Sequence, residues 1–162
     1  TCNQNNLAPL AIHQPNYSML NRWVENGLLD TCVEHGLGII AFCPLFQGLL
    51  TDKYLNGIPD GSRASLENSP LRKNEVNEQN IKVIQELNEH AGQRGQTLAQ
   101  MALSWVLRDD RVTSALIGAS SVSQVLENIK AAKQTEFTAD ELAKLDRILA
   151  KANLPKSLWS SN

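Results

Sequence analysis

Gly36-Leu37-Gly38-Ile39-Ile40-Ala41-Phe42-Cys43-Pro44-Leu45-Phe46-Gln47-Gly48-Leu49-Leu50-Thr51-Asp52-Lys53 is the stretch on which the fold turns. Residues 37–42 form a short apolar run bounded by turn residues, the pattern of a strand buried on both faces. Pro44 cannot donate to a ladder, so the strand is expected to end at Cys43. Small, hydroxyl and cationic groups follow: Gln47, Gly48, Thr51 and Lys53. A buried parallel strand that opens at its C-terminal end onto such a loop is the usual seat of an anionic ligand in α/β proteins.

Two further runs read as strands on either side of this one. Residues 9–13 lead into Gln14-Pro15-Asn16-Tyr17, and residues 112–117 end at Gly118. Before the central strand, residues 21–34 carry Trp23, Val24, Leu28, Leu29, Cys32 and Val33 near helical spacing, with Gly36 as a stop. After it comes a long polar loop, residues 55–74, containing Gly57, Pro59, Gly61 and Pro70; loops of that length inside a domain are more often functional than idle.

The second half is mostly helical. Residues 78–91 place Ile81, Ile84, Leu87 and Ala91 on one stripe. Three capping boxes start helices: Thr97 with Gln100, Ser121 with Gln124, and Thr138 with Glu141. The first should bury Leu98, Met101, Ala102 and Trp105, the second Val125, Leu126, Ile129 and Ala132, the third Leu142, Leu145, Ile148 and Leu149. The element order is β-α-β-loop-α-α-β-α-α, with links long enough for parallel crossovers. Residues 2–6 read as the polar tail of an earlier element.

Three parallel strands with alternating helices look like the last part of a (β/α)8 TIM barrel, which takes roughly 250 residues. Alone they would leave two open edges and apolar faces meant for neighbours. The expected class is therefore α/β, the C-terminal half of a barrel with additional helices. Residues 1–162 would hold the last three strands, and the N-terminal half would be absent.

Composition agrees with a soluble chain. Hydrophobic residues make up 42% of 162, enough for a core, and the net charge is −2 with both signs interspersed. Neither nucleic acid nor an anionic membrane is indicated as a partner. No apolar run has the length of a membrane span. Cys2, Cys32 and Cys43 are odd in number and lack metal-ligand spacing, which indicates free thiols, a cytoplasmic setting and no metal site.

Three motifs, taken together and in order, resemble the aldo-keto reductases: residues 13–22 (His-Gln-Pro-Asn-Tyr-Ser-Met-Leu-Asn-Arg), 44–54 (Pro-Leu-Phe-Gln-Gly-Leu-Leu-Thr-Asp-Lys-Tyr) and 116–128 (Leu-Ile-Gly-Ala-Ser through Gln124 to Glu127-Asn128). The match is closest to the branch holding potassium-channel β-subunits and bacterial glyceraldehyde 3-phosphate reductases. The resemblance implies an NADPH (NADP) site. Gln14 is similar to the residue that binds the nicotinamide carboxamide, and Tyr17 to the aromatic at the nicotinamide and substrate end. Phe42, Cys43, Pro44, Leu45, Phe46, Gln47, Gly48, Thr51 and Lys53 resemble the loop around the pyrophosphate. Gly48 permits close backbone approach, and Lys53 offers a charge-assisted bond. Arg63 looks like the loop arginine at the adenosine end. Gly118, Ser120, Ser121, Gln124, Glu127 and Asn128 resemble the 2′-phosphate and adenine site, at a helix N-terminus suited to an anion.

The chain departs from the family pattern at Ser121, where relatives often carry Arg or Asn, and at Asp52, where Gly is usual. It also shows none of the segments that supply the family's catalytic Tyr, Lys, Asp and His, which come from the first half of the barrel. His13 reads as a strand-end packing residue, and His35 and His90 as helix-terminal surface residues. Trp159, in the tail 154–162, is a candidate for covering the substrate mouth or for docking on the barrel.

Two functions compete at this stage: reduction of small carbonyl substrates with NADPH, or nucleotide sensing like the channel β-subunits, with little turnover. A phosphosugar aldolase or isomerase barrel is a distant third, since the adenosine motif would then lack a purpose. Open edges should make the isolated chain aggregate unless it meets its other half or a second copy of itself.

Overall fold

The computed structural model describes residues 8–154. The expectations for residues 2–6, Cys2 and Trp159 fall outside them. Three strands form one parallel sheet in the order β1 (Ile12–His13), β2 (Gly38–Phe42), β3 (Ser114–Leu116). Ile12 pairs with Gly38 and His13 with Ile39, while Ile40, Ala41 and Phe42 pair with Ser114, Ala115 and Leu116. The central strand is the expected one, and the whole element order is as read. The outer strands are shorter than expected, because each has only one neighbour to hold its ladder.

The sheet differs from the expectation in one informative way. Ile39 and Ala41 are buried, while Gly38, Ile40 and Phe42, on the other face, are only half-buried. Ile12 and Leu116 pair with residues of that second face and are 56% and 53% exposed. So β2 is not buried on both faces. Helices cover one side, and the side that a closed barrel would fill with its own side chains is open.

The covered side holds the core. Helix α1 (Leu28–Glu34) packs Leu29 and Cys32 inward. Residues 21–34 do not form one helix, because Gly27 sits at φ 96° and separates a 3₁₀ turn, Trp23–Glu25, from α1. Val33, expected inside, faces solvent. Helix α2 (Glu78–Gln93) buries Val83, Ile84, Leu87 and Ala91. Helix α3 (Leu98–Leu107) is buried nearly all round and brings Trp105 against the core. Helix α5 (Ala139–Leu149) closes it with Leu145 and Ile148. The long loop is less idle than its polarity suggests: Tyr54, Ala64 and Leu71 are core residues, and the Tyr54 hydroxyl accepts from the Ala64 amide.

Helix α4 (Val122–Ile129) contradicts its expected burial. Val122, Val125, Leu126 and Ile129 are 41–76% exposed, and none of its residues is buried. Its apolar stripe is real but meets no partner among the described residues. His90 is a second correction. It is buried in α2, 5% exposed, with neither ring nitrogen hydrogen-bonded, rather than lying at the surface.

Candidate functional site

Parallel pairing brings the three motifs to one rim. Gln14, Cys43 and Gly118 follow the C-terminal ends of three adjacent parallel strands, the end at which α/β barrels carry their chemistry. Gln14 is exposed there. The turn behind it extends the ladder: the Phe42 amide donates to the Pro15 carbonyl (2.9 Å), and the Tyr17 amide to the Phe42 carbonyl (3.2 Å).

Strain concentrates just past β2. Cys43, Phe46 and Gln47 all have positive φ (55°, 46° and 57°), and Gly48 follows at 94°. Left-handed conformations cost a side chain of order 1–3 kcal/mol and persist where surrounding structure enforces them, often at ligand sites. No atom lies within 4 Å of where a Gly48 side chain would begin, so the backbone there faces open space. Thr51 secures the loop, its hydroxyl donating to the Gly48 carbonyl (2.7 Å) and accepting from the Lys53 amide (3.3 Å).

Arg63 reaches this loop from the long connection. Its Nη1 donates to Gln47 Oε1 (2.8 Å), and Gln47 Nε2 donates to Cys43 Sγ (2.9 Å). Burial pushes the Cys43 thiol above its ordinary range, against a smaller opposing pull from Arg63. Arg63 and Gln47 also line a hollow of about 400 Å³ with Leu66, Asn68, Ser69 and Pro70. Lys53 and Arg63 are exposed, and neither forms an ion pair among the described residues. Two cations without a carboxylate partner among the described residues thus flank the strained loop.

The third segment is the start of α4. The Ser121 hydroxyl accepts from the Gln124 amide (3.2 Å), as a cap should. The expected box is only half formed, because Gln124 Oε1 accepts from the amide and hydroxyl of Ser120 (2.8 and 3.2 Å) instead of the Ser121 amide. Gly118, Ser120, Ser121 and Gln124 are exposed, and Asn128 is half-buried. Glu127 is partly committed to the scaffold, accepting from Gln100 Nε2 (3.1 Å) and Lys130 Nζ (2.5 Å).

Tyr17 is not where the resemblance puts it. Its side chain is fully buried, its hydroxyl donates to Glu25 Oε1 (2.7 Å), and its ring tilts against Trp105 at 5.6 Å. The strand-end aromatic at this C-terminal rim is Phe42, half-buried beside the Pro15–Tyr17 turn. Sequence reading missed the set behind Tyr17, namely Arg22, Glu25, Trp105 and Arg108. Arg22 and Arg108 stack over the Trp105 ring at 5.0 and 3.6 Å, a contact that joins residues 83 apart and leaves no local signal.

A larger cleft, about 840 Å³, lies at the opposite end of the sheet, before β3, lined by Arg108, Asp109, Arg111 and Phe137 among others. Arg111 is there paired with Asp109 and Asp30, so its charges are already spent on each other. Among the described residues no cluster of His, Cys, Asp or Glu could hold a metal ion.

Residues 2–150 match the model of the Aldo/keto reductase family. The chain is 52% identical over 158 residues to an L-glyceraldehyde 3-phosphate reductase of Escherichia coli K12, covering 95% of this chain and 45% of that protein. A protein of Schizosaccharomyces pombe described as a voltage-gated potassium channel β-subunit is 35% identical over 150 residues, covering 90% of this chain and 43% of its own length. Among solved structures, a glycerol dehydrogenase of Gluconobacter oxydans superposes with a TM-score of 0.74 at 29% identity, over 91% of this chain and 45% of that one. An aldo-keto reductase of Klebsiella pneumoniae in complex with NADPH superposes with a TM-score of 0.62 at 26% identity, over 94% and 43%. The chain spans less than half the length of each of these proteins.

Proposed function

The chain belongs to the aldo-keto reductase family, and from that premise we propose that it is the cofactor-holding C-terminal half of a cytoplasmic NADPH-dependent reductase of small aldehydes or ketones, glyceraldehyde 3-phosphate-like compounds among them. The observation that carries the reading is the convergence of three segments on one rim, with a strained loop flanked by two cations that form no ion pair among the described residues. A dinucleotide carrying three phosphates fits that rim. The fully open approach at Gly48 would admit the pyrophosphate, Lys53 and Arg63 would neutralise it, and the exposed amides opening α4 would face the adenosine phosphate. Gln14 and Phe42 would take the nicotinamide.

Bound there, NADPH supplies a hydride. This chain's residues orient the cofactor and keep its charge compensated, and the proton for the carbonyl oxygen comes from an acid outside the chain. The missing half of the barrel is thus a required partner, and the open strand edges are where it would join; a second copy of the chain is the other candidate for those edges. The higher identity to a reductase than to a channel subunit supports turnover over sensing.

The test is NADPH oxidation with L-glyceraldehyde 3-phosphate. The complete protein should turn over and the 162-residue chain should not. Ser121→Arg in the complete protein should tighten NADPH about tenfold and leave NADH unchanged, because one charged hydrogen bond to a phosphate is worth about 1.5–3 kcal/mol. Equal tightening of both nucleotides would place residue 121 away from the 2′-phosphate.

A further inference from the structure

Tyr17 lies three residues from Gln14, yet its side chain points into the core and not at the rim. What it touches is a compact polar set. Its hydroxyl donates to Glu25 and accepts from Arg108 Nη1 at 3.2 Å. Glu25 is gripped by Arg22 through Nε and Nη2 (2.9 and 2.7 Å) and approached by Arg108 (3.4 Å). Arg108 also donates to the Trp105 carbonyl (2.7 Å), and Arg22 to Asp146 of α5 (2.5 Å). Trp23 Nε1 holds the Asn16 carbonyl (3.1 Å) from the same side. The set therefore ties α3 and α5 to the back of one short segment, residues 14–17.

On its other side that segment is joined to the end of β2 by only two backbone hydrogen bonds, Phe42 to Pro15 and Tyr17 to Phe42. β1 itself is two residues long. So short a ladder does not fix register by itself; the part-buried network of hydrogen-bonded side chains behind it adds that constraint. Resting on the cofactor reading above, we propose that Tyr17 and Glu25 are positioning residues for the nicotinamide end of the site. They lock the 14–17 turn against Phe42 from behind, so that Gln14 is held in one position on the rim, where it would receive the nicotinamide. The groups remain competent across the working pH range. Burial raises the Tyr17 hydroxyl well above its ordinary value, so it stays a donor. Burial also acts to raise Glu25, but the hydrogen bonds from Arg22 and Tyr17 outweigh it and keep the carboxylate ionised.

The network backs only this segment: the strained loop is held by Thr51 and Arg63, and the start of α4 by Ser121 and Gln124. A positioning role therefore predicts a loss confined to ligands that carry nicotinamide. The experiment compares Tyr17→Phe and Glu25→Gln with the parent in the complete protein, titrating NADPH and adenosine 2′,5′-bisphosphate, which has the adenosine end and no nicotinamide. Tyr17→Phe should weaken NADPH about fivefold, the worth of one ordinary hydrogen bond, and leave the bisphosphate unchanged. Glu25→Gln keeps one acceptor oxygen but sets an NH2 group against the donors of Arg22 and Arg108, so it should weaken NADPH at least as much and leave the bisphosphate unchanged, which also serves if Tyr17→Phe folds poorly. Equal weakening of both ligands, or none of either, would overturn the inference. A parent protein that binds neither ligand would overturn the cofactor reading and this inference with it.

Discussion

Helices α2 and α4 both carry an apolar stripe, yet one is buried and the other is not. Leu87 of α2 is fully buried, and Leu126 of α4 is 54% exposed. The open face of the sheet, with Ile12 and Leu116, behaves like α4. A hydrophobic pattern marks a surface suited to burial, but the pattern alone does not show whether a neighbour covers it. The helical layer of α2, α3 and α5 closes on itself, while the sheet interior and α4 present apolar faces left exposed among the described residues.

The same substitution in both helices should expose that difference most strongly. Leu87→Ala should destabilise the 162-residue chain by about 2–5 kcal/mol, the range for a buried leucine that leaves a cavity. Leu126→Ala should cost under about 0.5 kcal/mol there, as exposed positions do, and several times more in the complete protein. Urea unfolding of both variants in both contexts measures it; equal costs in the short chain would mean that α4 is covered after all.

A smaller effect tests how self-contained the helical layer is. Arg94, 6% exposed, pairs with Glu141 of α5, donates to the Glu136 carbonyl and stacks over Phe137 at 3.8 Å. Glu141→Ala should cost about 2–3 kcal/mol. That lies below the full penalty for orphaning a buried charge, because the Glu141 carboxylate is partly solvated. The cost should be the same in the short and the complete chain, since no open face is involved.

The smallest effect is on pH. Burial, then the nearby Lys144, lowers the His90 pKa below its ordinary 6.5, with Glu141 pulling the other way and Arg94 adding to the lowering. The unfolded chain therefore binds that proton first, so stability is full above about pH 6.5 and declines as pH falls below it. His90→Leu should flatten thermal stability between pH 6.5 and pH 5. An unchanged slope would assign it to other groups.

The contrast also explains what was legible in advance. The strand order, the common rim and the Thr97 and Thr138 boxes were readable because each rests on local pattern. The break at Gly27 was not, because the apolar spacing runs through it and only its φ of 96° divides the helix. Tyr17 was read as facing the ligand because of its place beside Gln14. Its burial depends on Arg108 and Trp105, which arrive from some ninety residues away. The positive φ at Cys43, Phe46 and Gln47 likewise leaves no composition signal, since none of them is a glycine.

Hydrogen exchange of the complete protein, with and without NADPH, tests the central claim most directly, that three segments on one rim form a single dinucleotide site. NADPH should slow exchange together in residues 14–17, 42–53 and 118–128, and leave α2 unchanged. Protection in only one of these segments, or in none, would contradict it.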